Sequence, residues 1–343
     1  GLPVAGMLAD RFGPVRVLAI GGILYGAGVG LSAVSTTPVA LDLSAGVLVG
    51  LGLSGSAFGI VLAAIARLVP DENRSWALGL ATAAGSLGQF LFAPMGQAFI
   101  VAYGWQIALM ILAAFAVFIP VLATAFRVGN EHASVHHEAR IPFGQAMRAA
   151  FGHKSYLLLM SGFFVCGFQV AFITVHFPAY LSDVGAAPEL GALSIAAIGF
   201  FNIIGSYTAG VLGGRLSKRY LLSFLYVARS AVIAIFLFSE PTTLVVLTFA
   251  AVMGLLWLST VPLTSGLVAV MFGTQHLATL FGFVFFSHQL GSFIGVWLGG
   301  IVFDRFGSYD VIWWISIALG LFAALIHLPI REKRAETFEP AGA

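Results

Sequence analysis

The chain has 343 residues, of which 59% are hydrophobic and only 9% charged, with a formal net charge of +2. An average soluble domain carries about 25% charged residues, so this chain has too little polar surface to cover a water-facing core. The same composition excludes a disordered chain, the single Cys166 excludes a disulfide framework, and the near-neutral balance excludes a basic footprint for nucleic acid.

What is left is an all-α multi-pass membrane protein. Lipid admits helices or closed barrels, and the apolar runs here far exceed barrel strands of about 10 residues. The chain opens on an apolar stub, Gly1–Gly6, which runs straight into Met7-Leu8-Ala9-Asp10-Arg11. That segment reads as the end of a helix whose beginning lies outside the sequence. Ten complete spans of about 20 residues or more follow. They are predicted at Val15–Ser35, Leu43–Val69, Trp76–Tyr103, Trp105–Phe126, Tyr156–Leu181, Leu190–Leu212, Leu221–Phe238, Thr243–Phe272, Thr279–Phe303 and Tyr309–Leu328. A polar stretch with Glu131, His132, His136, His137, Glu138 and Arg140 separates the first four spans from the last six. The expected organisation is an N-terminal half over residues 1–127, a cytoplasmic loop over 128–154, a C-terminal half over 155–331 and a cytoplasmic tail over 332–343.

The basic residues set the orientation. Arg11, Arg16, Arg67, Arg74, Arg127, Arg140, Arg148, Lys154, Arg215, Lys218, Arg219, Arg331, Lys333 and Arg334 fall on one face, which makes 14 of the 16 Lys and Arg residues. The opposite loops hold Asp42, Asp183, Glu189, Glu240, Asp304, Asp310 and one base, Arg305. The base-rich face is therefore expected to be cytoplasmic. An inner or plasma membrane is the expected site.

The two halves repeat one another in the same direction. In one constant register Gly79 meets Gly282, Leu87 meets Leu290, Gly88 meets Gly291, Phe90 meets Phe293, Gly96 meets Gly299 and Gly104 meets Gly307. Slipped by a single residue from that register, Gly6-Met7-Leu8-Ala9-Asp10-Arg11 meets Gly210-Val211-Leu212-Gly213-Gly214-Arg215. A parallel repeat of this length is a transporter architecture, with the substrate path between the repeats.

Gly6-Met-Leu-Ala-Asp10-Arg11-Phe-Gly13-Pro-Val-Arg16 resembles the signature of the major facilitator superfamily, which lies in the loop between helices 2 and 3. Through the repeat the resemblance covers the whole chain. It implies two parallel six-helix halves, alternating access by a rocking bundle, and a central cavity. The segment Ala77–Phe90 with Pro94 looks like helix 5 of the monocarboxylate transporter and oxalate/formate antiporter group. Residues 300–310 look like that group's turn between helices 11 and 12. This narrower resemblance implies a small organic anion, moved with a proton or a counter-anion. At the helix 8 positions where monocarboxylate transporters carry Asp and Arg, this chain has the neutral Asn202 and Ser206.

Candidate site residues follow from these placements. Asp10, Arg11 and Arg16, with Gly6 and Gly13, are expected to form a gate latch, with Arg215 as the remnant of its second copy. Arg229 lies about 12 Å from either end of its span at 1.5 Å per residue. A mid-membrane Arg is costly. It either binds an anion in the cavity or ties its helix to backbone carbonyls. By the resemblance, helices 5, 7, 8 and 11 line the cavity. His288 and Gln289 on helix 11 are candidate contacts, with protonated His288 binding an anion or neutral His288 bonding inside the bundle. Gln169 and His176 on helix 7 share a face. Gln89 and Gln97 on helix 5 and Asn202 on helix 8 either bind substrate or join helices. Glycines at four-residue spacing, among them Gly22, Gly26, Gly30, Gly46, Gly50, Gly291, Gly295 and Gly299, predict close helix contacts. Pro94, Pro120, Pro178 and Pro262 predict bends.

The expected function is secondary transport of a small organic anion by a monomer in the bilayer, without cofactor or metal. The alternatives are a drug or neutral-solute exporter of the same superfamily and a non-transporting sensor. Neither a Walker loop nor a hydrolase motif points to an enzyme.

Overall fold

A computed structural model of the chain describes residues 1–126, 141–335 and 338. The loop histidines His132, His136 and His137 and the Gln97 side chain lie outside the described parts. The described helices are α1 (Leu2–Phe12), α2 (Pro14–Ala33), α3 (Pro38–Leu68), α4 (Asp71–Tyr103), α5 (Trp105–Ala123), α6 (Phe143–Gly152), α7 (Lys154–Asp183), α8 (Pro188–Gly213), α9 (Lys218–Leu237), α10 (Thr243–Phe272), α11 (Leu277–Phe306) and α12 (Asp310–His327). Ten of them are long and apolar enough to cross a membrane, and they coincide with the predicted spans to within a few residues.

Local chemistry sets the helix ends. Gly13 takes φ 89° between α1 and α2, a left-handed geometry that suits glycine, and Pro14 then starts α2. Thr37 and Thr242 cap α3 and α10 by accepting from Ala40 N and Val245 N. Three spans are interrupted. α3 has a π-helical run over Asp42–Leu48 and a break at Ser56 and Ala57. α5 breaks at Val117 and α10 at residues 257–259. Pro120 and Pro262 lie just beyond the last two breaks, as a residue that cannot donate to the preceding turn should. Pro94 and Pro178 instead sit inside unbroken helices.

Small residues let the spans approach. Gly22 and Gly26 of α2 face Ile119, Ala113 and Ala116 of α5, and Gly291 and Gly295 of α11 lie against the Phe164 and Phe168 carbonyls of α7. Gly46 and Gly50 differ from the expectation and face open space. The two halves cross where Gly79 of α4 meets Gly210 of α8, so close that a methyl at either glycine would lie 2.5 Å from the other's Cα. Aromatic clusters fill the second half, with Phe163, Tyr226, Phe272 and Phe281 in one and Phe177, Phe236, Phe249 and Trp313 in the other. Exposed Ile23, Phe224, Leu244 and Leu325 give the outer surface the apolar character that lipid requires.

Candidate functional site

Two groups of polar residues stand out, one at the base-rich end of the helices and one inside the second half. At the base-rich end, Asp10 leaves the last turn of α1 and meets the first turn of α11. Its carboxylate accepts from Thr279 N at 2.8 Å, Thr279 Oγ1 at 2.6 Å and Ala278 N at 3.3 Å. A helix start carries unpaired N–H groups and partial positive charge, so a carboxylate there is doubly favoured. Asp10 also pairs with Arg67 at the end of α3, and only 6% of its side chain is exposed. Arg67 in turn donates to Thr274 O at 3.1 Å and Gln275 O at 3.3 Å in the α10–α11 turn. Gly6 lies one turn before Asp10, where a Cβ would collide with the Ala278 carbonyl. Together Gly6, Asp10 and Arg67 tie the first half to the second.

The other motif residues are less engaged. Arg11 and Arg16 are exposed, Arg11 over the Phe12 ring at 5.1 Å. Arg215 occupies the repeat-related place at the end of α8, against the first turn of α4. It lines a cleft there with Glu72, Asn73 and Trp76. Gly214 stands where the first copy has Asp10, and the acid is supplied by α4 itself through Asp71 and Glu72. Asp71 pairs with Arg74.

Inside the second half, Asn202 is fully buried. Its Nδ2 donates to Ser86 Oγ of α4 at 2.9 Å, and its Oδ1 accepts from Ser206 Oγ at 3.1 Å and Leu258 N at 2.9 Å. Leu258 lies in the break of α10. The carbonyls freed by that break are taken by Arg229, whose Nε and Nη2 reach Leu256 O at 3.1 and 2.6 Å and whose Nη2 also bonds Trp257 O. Its Nη1 lies 3.4 Å from Cys166 Sγ, and its guanidinium sits over the Tyr226 ring. The structure thus places Arg229, 1% exposed, on backbone carbonyls rather than facing open space.

His288 continues the same polar line. Its ring stacks on Phe285 at 5.1 Å and lies 4.9 Å from Phe163, and its Nδ1 is 3.3 Å from Gln289 Oε1 and 3.5 Å from Ser292 Oγ. Cys166 lies within its hydrogen-bond reach. Gln289 and, on α4, Gln89 are exposed. Gln169 turns to α12 and donates to Ser316 O at 2.9 Å. His176 sits between Val296 O at 2.9 Å and Tyr309 Oη at 3.3 Å. Burial, with Asp183 and Asp304 nearby, raises the Tyr309 phenol above its ordinary value. His288, Gln289 and Cys166 therefore come together, whereas Gln169 and His176 occupy separate helix contacts. Among the described residues no group of three His, Cys, Asp or Glu could hold a metal ion.

Sequence reasoning passed over Arg67 and Thr279. Arg67 reads as one more base at a span end. The only hint of Thr279 is the run Gly273-Thr-Gln-His-Leu-Ala-Thr279 at a helix start.

A family model described as Major Facilitator Superfamily matches residues 1–284 and residues 159–343. The chain is 27% identical to an uncharacterized MFS-type transporter, YcxA, of Bacillus subtilis (strain 168), over 96% of this chain and 82% of the relative. It is 28% identical to monocarboxylate transporter 13 of Bos taurus over 96% and 77%, and 23% identical to monocarboxylate transporter 12 of Xenopus laevis over 94% and 75%. In fold it is similar to the E. coli fucose:proton symporter FucP, with a TM-score of 0.71, 16% identity and coverage of 95% of this chain and 87% of that one. The proton:xylose symporter XylE matches with a TM-score of 0.73, 16% identity and coverage of 98% and 85%.

Proposed function

Because this chain belongs to the Major Facilitator Superfamily, we propose that it is a secondary active transporter moving a small organic anion, a carboxylate, by rocking its two halves. The base-rich face is the cytoplasmic one, and the path runs between the halves. The observation that carries the rocking mechanism is the junction of Asp10, Arg67 and Thr279. It joins the halves at one end only through groups that water or a shifted helix can replace. Breaking it opens that face, and remaking it closes that face again.

The carboxylate class is supported by the similarity to monocarboxylate transporters 12 and 13. With Arg229 committed to Leu256 and Trp257, the positive charge for the anion comes from His288 once it takes a proton. Gln289 and Ser292 flank it, and Cys166 and the Arg229 guanidinium are its titratable and charged neighbours from α7 and α9. Anion and proton then move together. A neutral solute is the second reading, favoured by the uncharged Asn202 and Ser206 on α8.

Proteoliposomes holding the full chain test this reading. Labelled small monocarboxylates should enter faster with an inward proton gradient than without one. Uptake of neutral solutes or apolar cations alone would remove the anion assignment.

A further inference from the structure

The turn between α10 and α11, residues 273–276, is gripped from two sides. From the first half, Arg67 donates to Thr274 O and Gln275 O while it pairs with Asp10. From the other side comes Ile141, which lies two residues before α6 on the chain between α5 and α7. The side-chain amide of Gln275 accepts from Ile141 N at 3.1 Å and donates to Ile141 O at 3.1 Å. His276 Nε2 donates to the same oxygen at 2.9 Å. The Ile141 peptide is thereby saturated, with its one N–H and both lone pairs of its C=O engaged. The buried His276 ring also meets Phe143 edge-on at 6.0 Å, which fixes the start of α6 against the turn.

A side-chain primary amide suits this pairing, because it carries a donor and an acceptor on one carbon, whereas a carboxylate has no donor. The turn has need of a clamp. It opens on Gly273 at φ 68°, a residue whose backbone no side chain restrains. Its carbonyls can receive Arg67 only while the turn keeps one orientation. We propose that Gln275 is a positioning residue for closure of the base-rich end. By clamping the Ile141 peptide it holds Thr274 O and Gln275 O towards Arg67, and so keeps Arg67 on Asp10. The covalent connection between the halves is thereby fastened to the same turn as their closing contact, and the two must loosen together. This inference rests on the reading of Asp10, Arg67 and Thr279 as the closing junction.

The test reads opening of the base-rich end away from the turn itself. Ser75, 8% exposed, lies between α4 and α8 beside Gly213 and Gly214. In a Cys166→Ser background, Ser75→Cys supplies the only thiol. The rate at which a water-soluble maleimide labels it, with the purified full chain in nanodiscs, follows opening. Asp10→Asn should speed labelling by weakening the junction. Gln275→Met, similar in length but without the amide, should speed it about tenfold through the loss of two hydrogen bonds. Ile141→Pro removes the bonded N–H from the opposite partner; it should act in the same direction, and it serves if Gln275→Met does not fold. Gln275→Met added to Asp10→Asn should speed labelling by less than about twofold more, because both act on one junction. Effects that multiply would leave Gln275 a local structural role and overturn the proposal. So would an unchanged rate in Gln275→Met and Ile141→Pro where Asp10→Asn responds. No response to Asp10→Asn would instead overturn the reading of the closing junction, and this inference with it.

Discussion

Arg229 shows what a single buried charge does when lipid surrounds the protein. Its guanidinium answers two carbonyls, Leu256 O and Trp257 O, that the break in α10 leaves without helical partners. An unpaired buried carbonyl costs about 1–3 kcal/mol. Arg229→Leu is therefore expected to lower the unfolding temperature by several degrees while the KM for the transported solute stays within about twofold. Arg229→Lys should recover only part of the loss, because one ammonium cannot fork to two carbonyls as a guanidinium does. His288→Gln should do the opposite, raising KM about tenfold with little change in unfolding temperature. A tenfold KM effect of Arg229→Leu without loss of stability would return that residue to the substrate path. The sequence makes Arg229 conspicuous by depth alone. Its partners are peptide groups of a distant helix, and no side-chain pattern announces a freed carbonyl.

Among elements, the junction between α6 and α7 carries a testable proton switch. His153 sits at that junction with its ring edge-on to Phe272 at 5.6 Å and its buried Nδ1 with no hydrogen-bond partner among the described residues. Burial first, and the Arg331 guanidinium second, hold its pKa below the ordinary 6.5. The unfolded chain therefore binds more protons than the folded one just below pH 6.5. Stability rises with pH through that window, is complete above it, and falls on acidification. His153→Gln should flatten the unfolding temperature between pH 5 and 7 relative to the parent, in detergent scans run side by side. An unchanged slope would mean that other groups set it. The spans were legible at this scale because apolar runs and Gly, Pro and Thr boundaries act locally. The breaks were only half legible. Pro120 and Pro262 mark two of them, but Pro94 and Pro178 bend nothing into a break, and the Ser56 interruption has no proline at all. Whether a freed peptide group finds a neighbour such as Asn202 decides the matter, and that is a tertiary fact.

Across the whole molecule the parallel repeat was readable, but the way its copies divide the labour was not. Both copies end a helix against the start of the repeat-related partner, α1 on α11 and α8 on α4. Only the first copy puts the acid in the motif, as Asp10, whereas the second keeps it on the receiving helix as Asp71 and Glu72. The first junction is thus a cap with three donors to one carboxylate, and the second an open cleft with Arg215 at its edge. Asp10→Asn should accordingly weaken closure more than Arg215→Gln does, read as a drop in maximal uptake of about tenfold against less than twofold. Rocking itself can be arrested at the second junction. A Cβ at Gly214 would stand 3.8 Å from Ser75 Cβ, within the spacing of a disulfide. In a background where Cys166→Ser removes the only native thiol, Ser75→Cys with Gly214→Cys should cross-link α4 to α8 on oxidation. Uptake into proteoliposomes should then fall to below about a tenth and return on reduction, because a closed end that cannot open admits no cycle. Full cross-linking with undiminished uptake would show that the halves need not part at this end, and the rocking mechanism would have to be given up.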